Sequence, residues 1–334
     1  MGGDNRSIAV LGGGSWGTAL AIQIARANIN VCMWDINTEH VRRMQQDGSN
    51  VTYLPGMPFP PSLQVSASLQ STIEGSQTLL LVVPSHAMRG FLQSARGFIR
   101  ADQHIVWATK GLEEGTGKLM HQIIAEELPD NHYTTVISGP TFAREVAQGL
   151  PTSMTAASAS SVMAVEMVSF LHHGNFRVYT SADILGVELG GALKNVLAIA
   201  AGVADGLGFG ANTRAALITR GLREIMRIGQ AMGAKKETFM GLAGMGDLIL
   251  TCTDNQSRNR QMGLKLAKGL SVEQAREEIG QAVEGVKTAK EAWKLVQKYD
   301  LDCPIIEQAY RVLYENRSPT DALRILLSRE SKAE

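Results

Sequence analysis

Lys194 lies in the run GVELGGALKNVLAIAAG, where its neighbours one turn away are Gly190, Gly191, Leu197 and Ala198. An ammonium enclosed by small apolar groups loses hydration, so its pKa falls into a range useful for proton transfer. On a half-buried helix the same residue would instead snorkel its amine to solvent. Gly190 and Gly191 would also leave room for a ligand against the helix. Lys110 follows HIVWAT and precedes Gly111, which puts a second amine at the carboxyl edge of a sheet, where α/β proteins bind substrates. Asp247 comes after the bend GLAGMG and either pairs with one of these lysines or caps a helix. The segment Asp254-Asn255-Gln256-Ser257-Arg258-Asn259-Arg260 reads as a turn into a helix, with Ser257 as N-cap and Gln261 to Lys268 helical. A helix start with Arg258 in its first turn suits a phosphate dianion; taken alone, it is equally a solvated basic turn.

These groups need a scaffold, and the N-terminal region supplies a recognisable one. Ser7 to Leu11 reads as a strand, Gly12-Gly13-Gly14-Ser15-Trp16-Gly17 follows at once, and Thr18 to Ala27 reads as a helix. Glycine spacing alone is weak in a chain with 34 glycines. Between strand and helix it gains meaning: Gly12 permits the tight turn, Gly14 lets backbone approach a pyrophosphate, and Gly17 lets helix and strand pack closely. A second strand, Val31 to Trp34, ends at Asp35, eighteen residues after Gly17. An acid there accepts hydrogen bonds from an adenosine ribose and repels a 2′-phosphate; a solvated loop carboxylate is the plainer alternative.

Apolar, β-prone runs (SIAVLG, NINVCMW, TLLLVVP, HIVWATK, TTVISGP, FRVYT) alternate with helical stretches up to about Ser181. Continuous apolar strands spaced by crossover helices predict a doubly wound α/β domain with a parallel sheet covered on both faces. Beyond it, long helical stretches dominate. We therefore expect a Rossmann-type domain over 1–185 and an all-helical substrate domain over 186–334, joined by a long helix at 182–205, with the cleft between the two. Thirty-two basic and 32 acidic residues cancel, so no bulk field draws nucleic acid or an anionic membrane. Cys32, Cys252 and Cys303 are odd in number and far apart, which excludes a disulfide framework and fits a reducing cytosol. The histidines form no metal-binding pattern, and no metal is expected. The opening residues lack the apolar core of a signal peptide. The Met1-Gly2 start lacks the Ser or Thr that myristoylation needs, because Arg6 stands there.

Taken together, GGGSWGTALA, LLLVVPSH, VWATKGLE, VISGPTFAREVAQGLPT, LGGALKNVLAIAAGVADGLGFGANTRAALITRGL, GLAGMGDLILTCTDNQSRNR and VEGVKTAK closely resemble the bacterial type of NAD(P)-dependent glycerol-3-phosphate dehydrogenase over nearly the whole chain. The resemblance implies reduction of dihydroxyacetone phosphate by NAD(P)H to sn-glycerol 3-phosphate, a precursor of glycerophospholipids. It implies Lys194 as proton donor and acceptor, Lys110 as a lysine shared by substrate and nicotinamide, and Asp247 as the acid beside the reacting carbon. Asn195 and Thr251 become supporting polar groups, and Gly139 and Thr141 substrate contacts. Ser257, Arg258 and Asn259 become contacts to phosphate and glycerol. For the cofactor it implies Ser15 and Trp16 at the pyrophosphate with the glycines, then Ala143, Lys110 and Arg258, with Val283 and Glu284 closing over it. Bacterial members often carry a small or basic residue where this chain has Asp35-Ile36-Asn37, so use of NAD(H), or relaxed choice, is expected. A β-hydroxyacid or 6-phosphogluconate-type dehydrogenase has a similar plan but needs a cation for a carboxylate, and a non-catalytic nicotinamide sensor would not need both lysines, Asp247 and Arg258. A cytoplasmic homodimer is expected for an enzyme of this size.

Overall fold

The computed structural model describes residues 6–329. The Met1-Gly2 start lies outside the described residues. The chain forms two compact units. One holds Met120–Ile184 together with the chain up to Thr109; the other holds Lys110–Leu119 together with the chain from Leu185 onward.

The first unit is built on an eight-stranded sheet in the order β3-β2-β1-β4-β5-β6-β7-β8. Its strands are β1 (Ser7–Leu11), β2 (Asn30–Trp34), β3 (Leu63–Ser66), β4 (Thr78–Leu81), β5 (His104–Trp107), β6 (Thr134–Ser138), β7 (Thr152–Ala157) and β8 (Phe176–Ser181). The helices α1 (Ser15–Ala25), α2 (Thr38–Asp47), α3 (Leu69–Glu74), α4 (Met88–Ala95), α5 (Met120–Glu127), α6 (Ala143–Gln148) and α7 (Ser161–Leu171) belong to it. The central strands are apolar throughout because both faces are covered, and Ile8 to Leu11 and Leu79 to Leu81 are fully buried. Strands β1 to β6 are parallel, as expected. Beyond them the sheet departs from the expectation: β7 meets β6 antiparallel, and β8 lies parallel to β7. Neither β3 nor β7 is apparent as an apolar run. The register Leu11↔Trp34 and Leu11↔Leu81 makes β1 the point where the strand order reverses. In such sheets a crevice opens at the carboxyl ends there, and Gly12 stands at that end.

The second unit is helical: α8 (Ile184–Gly206), α9 (Ala211–Met232), α10 (Lys236–Phe239), a π-turn at Leu242–Gly246, α11 (Asp247–Thr253), α12 (Arg258–Ala267), α13 (Val272–Ile279), α14 (Glu284–Lys298), α15 (Pro304–Tyr314) and α16 (Pro319–Leu327). Its centre is α8, the long helix expected at 182–205. This helix is long and apolar enough to cross a membrane by composition, yet 83% of its apolar window is buried inside the protein. It is a core helix, surrounded by Ile225, Phe239, Leu248, Met262, Val286 and Ala289 of the same apolar cluster. Leu112 and Leu119 sink into that cluster too, which is why their segment belongs with this unit.

Candidate active site

In the first unit the turn after β1 is shaped by contacts only glycine allows. Gly12 has φ +130°, and a Cβ there would lie 2.7 Å from the Val82 carbonyl oxygen. A Cβ on Gly17 would lie 1.9 Å from the Gly12 carbonyl oxygen, so α1 rests directly on the turn. The helix begins at Ser15, earlier than the expected Thr18, because Gly14 in extended conformation acts as its N-cap and offers no capping side chain. Its first N–H groups are thus left for a ligand, and the space a Cβ on Gly14 would enter is open to 4 Å. The Trp16 indole nitrogen is buried without a partner. An open helix start, an empty glycine face and an unsatisfied donor fit a dinucleotide pyrophosphate.

Asp35 closes this turn from the end of β2. Its Oδ2 accepts from the Gly13 N–H at 3.2 Å, and its Oδ1 from the Asn37 N–H at 2.8 Å. The solvated alternative fails, since the carboxylate is largely covered and lies 3.5 Å from the His40 ring. Asn50, which the sequence did not single out, is fully buried beneath the turn. Its amide donates to the Gly13 carbonyl and to Thr18 Oγ1, both at 2.8 Å, while its Oδ1 accepts from the Tyr53 N–H at 3.0 Å. A lone asparagine in SNVTYLPG carries no spacing that would have revealed it. Gly139 follows β6, where a Cβ would lie 2.7 Å from Met154 Cα; Thr141 donates to the Gly139 carbonyl at 3.2 Å, and Ala143 opens α6.

In the second unit Lys110, Lys194, Asp247 and Thr251 form one hydrogen-bonded cluster. Asp247 is 1% exposed and receives both amines: Lys194 Nζ on Oδ1, and Lys110 Nζ on Oδ2 at 2.8 Å. The Thr251 hydroxyl donates to the Asp247 carbonyl at 2.6 Å and accepts from Lys194 Nζ at 2.8 Å, which fixes where that amine points. Asp247 is therefore not a helix cap; it opens α11 with its side chain turned to the lysines. Lys194 does not snorkel. Its residue is 7% exposed, and burial pulls its pKa down to about 8. The Asp247 charge opposes that fall and the Lys110 charge adds to it. The room expected beside Gly190 is taken by protein: a Cβ there would lie 2.5 Å from the Ala243 carbonyl oxygen. The glycine lets the π-turn press onto α8, and this contact delivers Asp247 to Lys194.

A second chain of amides starts one residue on. Asn259 donates to Asn195 Oδ1 at 2.9 Å and accepts from the Gly285 N–H at 2.9 Å, tying α8, α12 and α14 together. Ser257 is the N-cap of α12, accepting from the Arg260 N–H at 3.2 Å. Arg258 is exposed in the first turn and reaches Gln281 Oε1 at 3.4 Å. Val283 and Glu284 begin α14, beside Gly285. The turn itself is held by Arg260, a residue assigned no role of its own from sequence; it donates to Asp205 Oδ2 at 2.6 Å and to the Cys252 carbonyl at 3.1 Å. Chemically, this unit offers a buried amine whose pKa is lowered to about 8, a second cation on the same acid, and a guanidinium at a helix start whose pKa is also lowered by desolvation.

Two family models match the chain, described as the N-terminus and the C-terminus of NAD-dependent glycerol-3-phosphate dehydrogenase, over residues 7–164 and 183–324. The chain is 49% identical over 333 residues to glycerol-3-phosphate dehydrogenase [NAD(P)+] of Vibrio parahaemolyticus, covering 99% of this chain and 96% of that protein. It is 52% identical over 327 residues to the protein of the same name from Thioalkalivibrio sulfidiphilus, covering 98% of each. A crystal structure of glycerol-3-phosphate dehydrogenase from Coxiella burnetii superposes with a TM-score of 0.94 at 46% identity, covering 97% of this chain and 99% of that one.

Proposed function

This chain belongs to the NAD-dependent glycerol-3-phosphate dehydrogenase family, and from that premise we propose that Lys194 exchanges the proton of the reaction while Lys110 and Asp247 set its charge. The reaction is reduction of dihydroxyacetone phosphate by NAD(P)H to sn-glycerol 3-phosphate, and its reverse. When bound, the reduced nicotinamide supplies the hydride. Ser15, Trp16 and the turn Gly12, Gly14, Gly17 hold the pyrophosphate, with Ala143, Val283 and Glu284 as further cofactor contacts. Gly139 and Thr141 touch substrate. Arg258, Ser257 and Asn259 hold the remote phosphate, and Asn195 supports Asn259.

The observation that carries this reading is one buried carboxylate shared by two lysines. A ketone oxygen becoming an alkoxide gains negative charge, so cations placed beforehand stabilise the transition state more than the ground state. Lys194 donates the proton to that oxygen, Lys110 polarises the same carbonyl, and Thr251 keeps the donor aimed. Asp247 keeps Lys194 basic enough to be protonated at neutral pH. Lys194→Ala is expected to lower turnover roughly a hundredfold or more, with NADH affinity retained because the pyrophosphate turn is untouched. Following nicotinamide absorbance with dihydroxyacetone phosphate measures this; near-normal turnover defeats the assignment.

Asp35 favours NADH over NADPH. Its carboxylate is fixed at the glycine turn, and the guanidiniums of Arg42 and Arg43 are both engaged by Glu39. A 2′-phosphate would meet the acid and find the bases occupied. The ratio of kcat/KM for the two cofactors should favour NADH in the wild type and fall in Asp35→Ser; a strong wild-type preference for NADPH removes this part of the reading. The enzyme acts as a cytoplasmic homodimer whose product feeds glycerophospholipid synthesis, and light scattering of the purified protein tests the dimer.

A further inference from the structure

The segment that carries Lys110 has no helix or strand of its own between β5 and α5. It is a turn closed by Glu113 N–H to the Lys118 carbonyl at 2.8 Å and Gly117 N–H to the Glu113 carbonyl at 2.9 Å, with Leu112 and Leu119 as its apolar anchors. Its tip is grasped by one face of α14. Glu291 Oε1 accepts from the Gly115 N–H at 3.0 Å, Lys294 Nζ donates to the Gly115 carbonyl at 3.3 Å, and Lys287 pairs with Glu114 at 2.8 Å. These three side chains recur at helical spacing, so they line one stripe. Gly115 adopts φ +92°, a conformation that strains any L side chain, and in it the N–H meets the acid. Glu291 is completely buried. Interring a carboxylate is unfavourable unless it is paired and hydrogen-bonded, and both oxygens of this one lie 3.0 Å from Lys294 Nζ. The mechanism above makes no use of it.

We propose that Glu291 is a positioning residue for the reaction: by gripping Gly115 it holds the turn against α14 and thereby keeps the Lys110 ammonium on Asp247, beside Lys194. The inference rests on the roles given to Lys110 and Lys194 above. Lys110 lies only five residues before the gripped glycine; Leu112 pins the stretch between them to the core, while Gly111, next to Lys110, leaves the lysine itself free to turn unless the tip is also held. Once the grip is lost, Lys110 drifts from Asp247. The acid then serves Lys194 alone, the repulsion from Lys110 disappears, and more water reaches the amine. The groups that face Lys194 are Asp247, Thr251 and Cys252 from α11 and Lys110 from the turn; Cys252 is a neutral thiol, its pKa pushed up to about 12 by burial. Every change that follows release of the turn favours the charged amine, so its titration moves upward.

The test compares Glu291→Met, which fills the space but cannot accept, with Glu291→Gln, whose amide oxygen still can. In the unliganded protein, the Lys194 Nζ titration followed by nitrogen-labelled lysine NMR should rise by about one pH unit in Glu291→Met from its wild-type midpoint of about 8. It should return close to wild type in Glu291→Gln. Turnover with dihydroxyacetone phosphate should fall about tenfold in Glu291→Met, its alkaline limb moving by the same interval, with KM for NADH unchanged. A folded Glu291→Met with an unmoved midpoint overturns the proposal. If that variant does not fold, Glu291→Met/Lys294→Met, which removes the acceptor together with its ion-pair partner, must move the midpoint in the same direction, and its failure to do so is equally decisive. Lys194→Ala is run beside them. Retained turnover there defeats the catalytic reading itself, whereas lost turnover with an unmoved Glu291→Met titration defeats only the positioning role.

Discussion

Burial strips water from the Lys194 ammonium while Asp247 restores part of what is lost, and the balance leaves a pKa of about 8. The sign of the pH dependence follows. On the proposed role of Lys194, reduction uses the protonated amine, which predominates below that value, so the rate with dihydroxyacetone phosphate should decline as pH rises through about 8. On the same proposal, oxidation of glycerol 3-phosphate uses the free amine and should decline as pH falls through the same point. Rate profiles in both directions check this, and coincident limbs of the same sign would contradict it. The meeting of Lys194, Lys110 and Asp247 was hinted at by amines beside glycine and alanine and by an acid after a glycine bend, although the same sequence allowed a snorkelling lysine and a helix-capping acid. Glu291 and Asn50 carried no such hint. A glutamate within VKTAKEAWKL looks like one more solvated charge, and its burial depends on a turn 176 residues away.

Among elements, the strands that announced themselves are those covered on both faces. Strand β3 reads LQVS and β7 reads TSMTAA, both short of large apolar groups, and their pairing is supplied by neighbours distant in the chain. Nothing local distinguishes them from loops, and the reversal at β7 depends on the same partners. The linking helix was legible from its apolar run, but the closeness of its packing was not. Gly190 suggested space for a ligand, whereas the Ala243 carbonyl oxygen fills that space. Gly190→Ala should therefore act through the π-turn. A methyl driven into backbone forces Leu242–Gly246 outward and Asp247 with it, costing about 1–3 kcal/mol of stability. Turnover should fall with NADH binding unchanged. Chemical denaturation together with cofactor titration measures both; wild-type stability would mean the contact is looser than described.

For the molecule as a whole, the switch between strand-rich and helix-rich sequence pointed to two parts divided near residue 185, whereas nothing in the sequence assigned Lys110–Leu119 to the helical unit. Those residues follow β5 directly, yet their apolar anchors and the grip on Gly115 are provided by helices translated far later. Closing so long a loop is slow, because entropy is lost before any contact repays it. On the ribosome the segment should stay open to protease until α14 has emerged, although all eight strands have been made by then. Pulse proteolysis of stalled nascent chains of increasing length should show cleavage within 110–119 vanishing only after Glu291 and Lys294 leave the exit tunnel. Early protection would contradict this order. A gene exchange near residue 185 would pair the helical unit with a 110–119 segment from another parent, which has to fit the same apolar cluster and the same face of α14. Such an exchange is tolerated only where the incoming turn matches the helices that hold it.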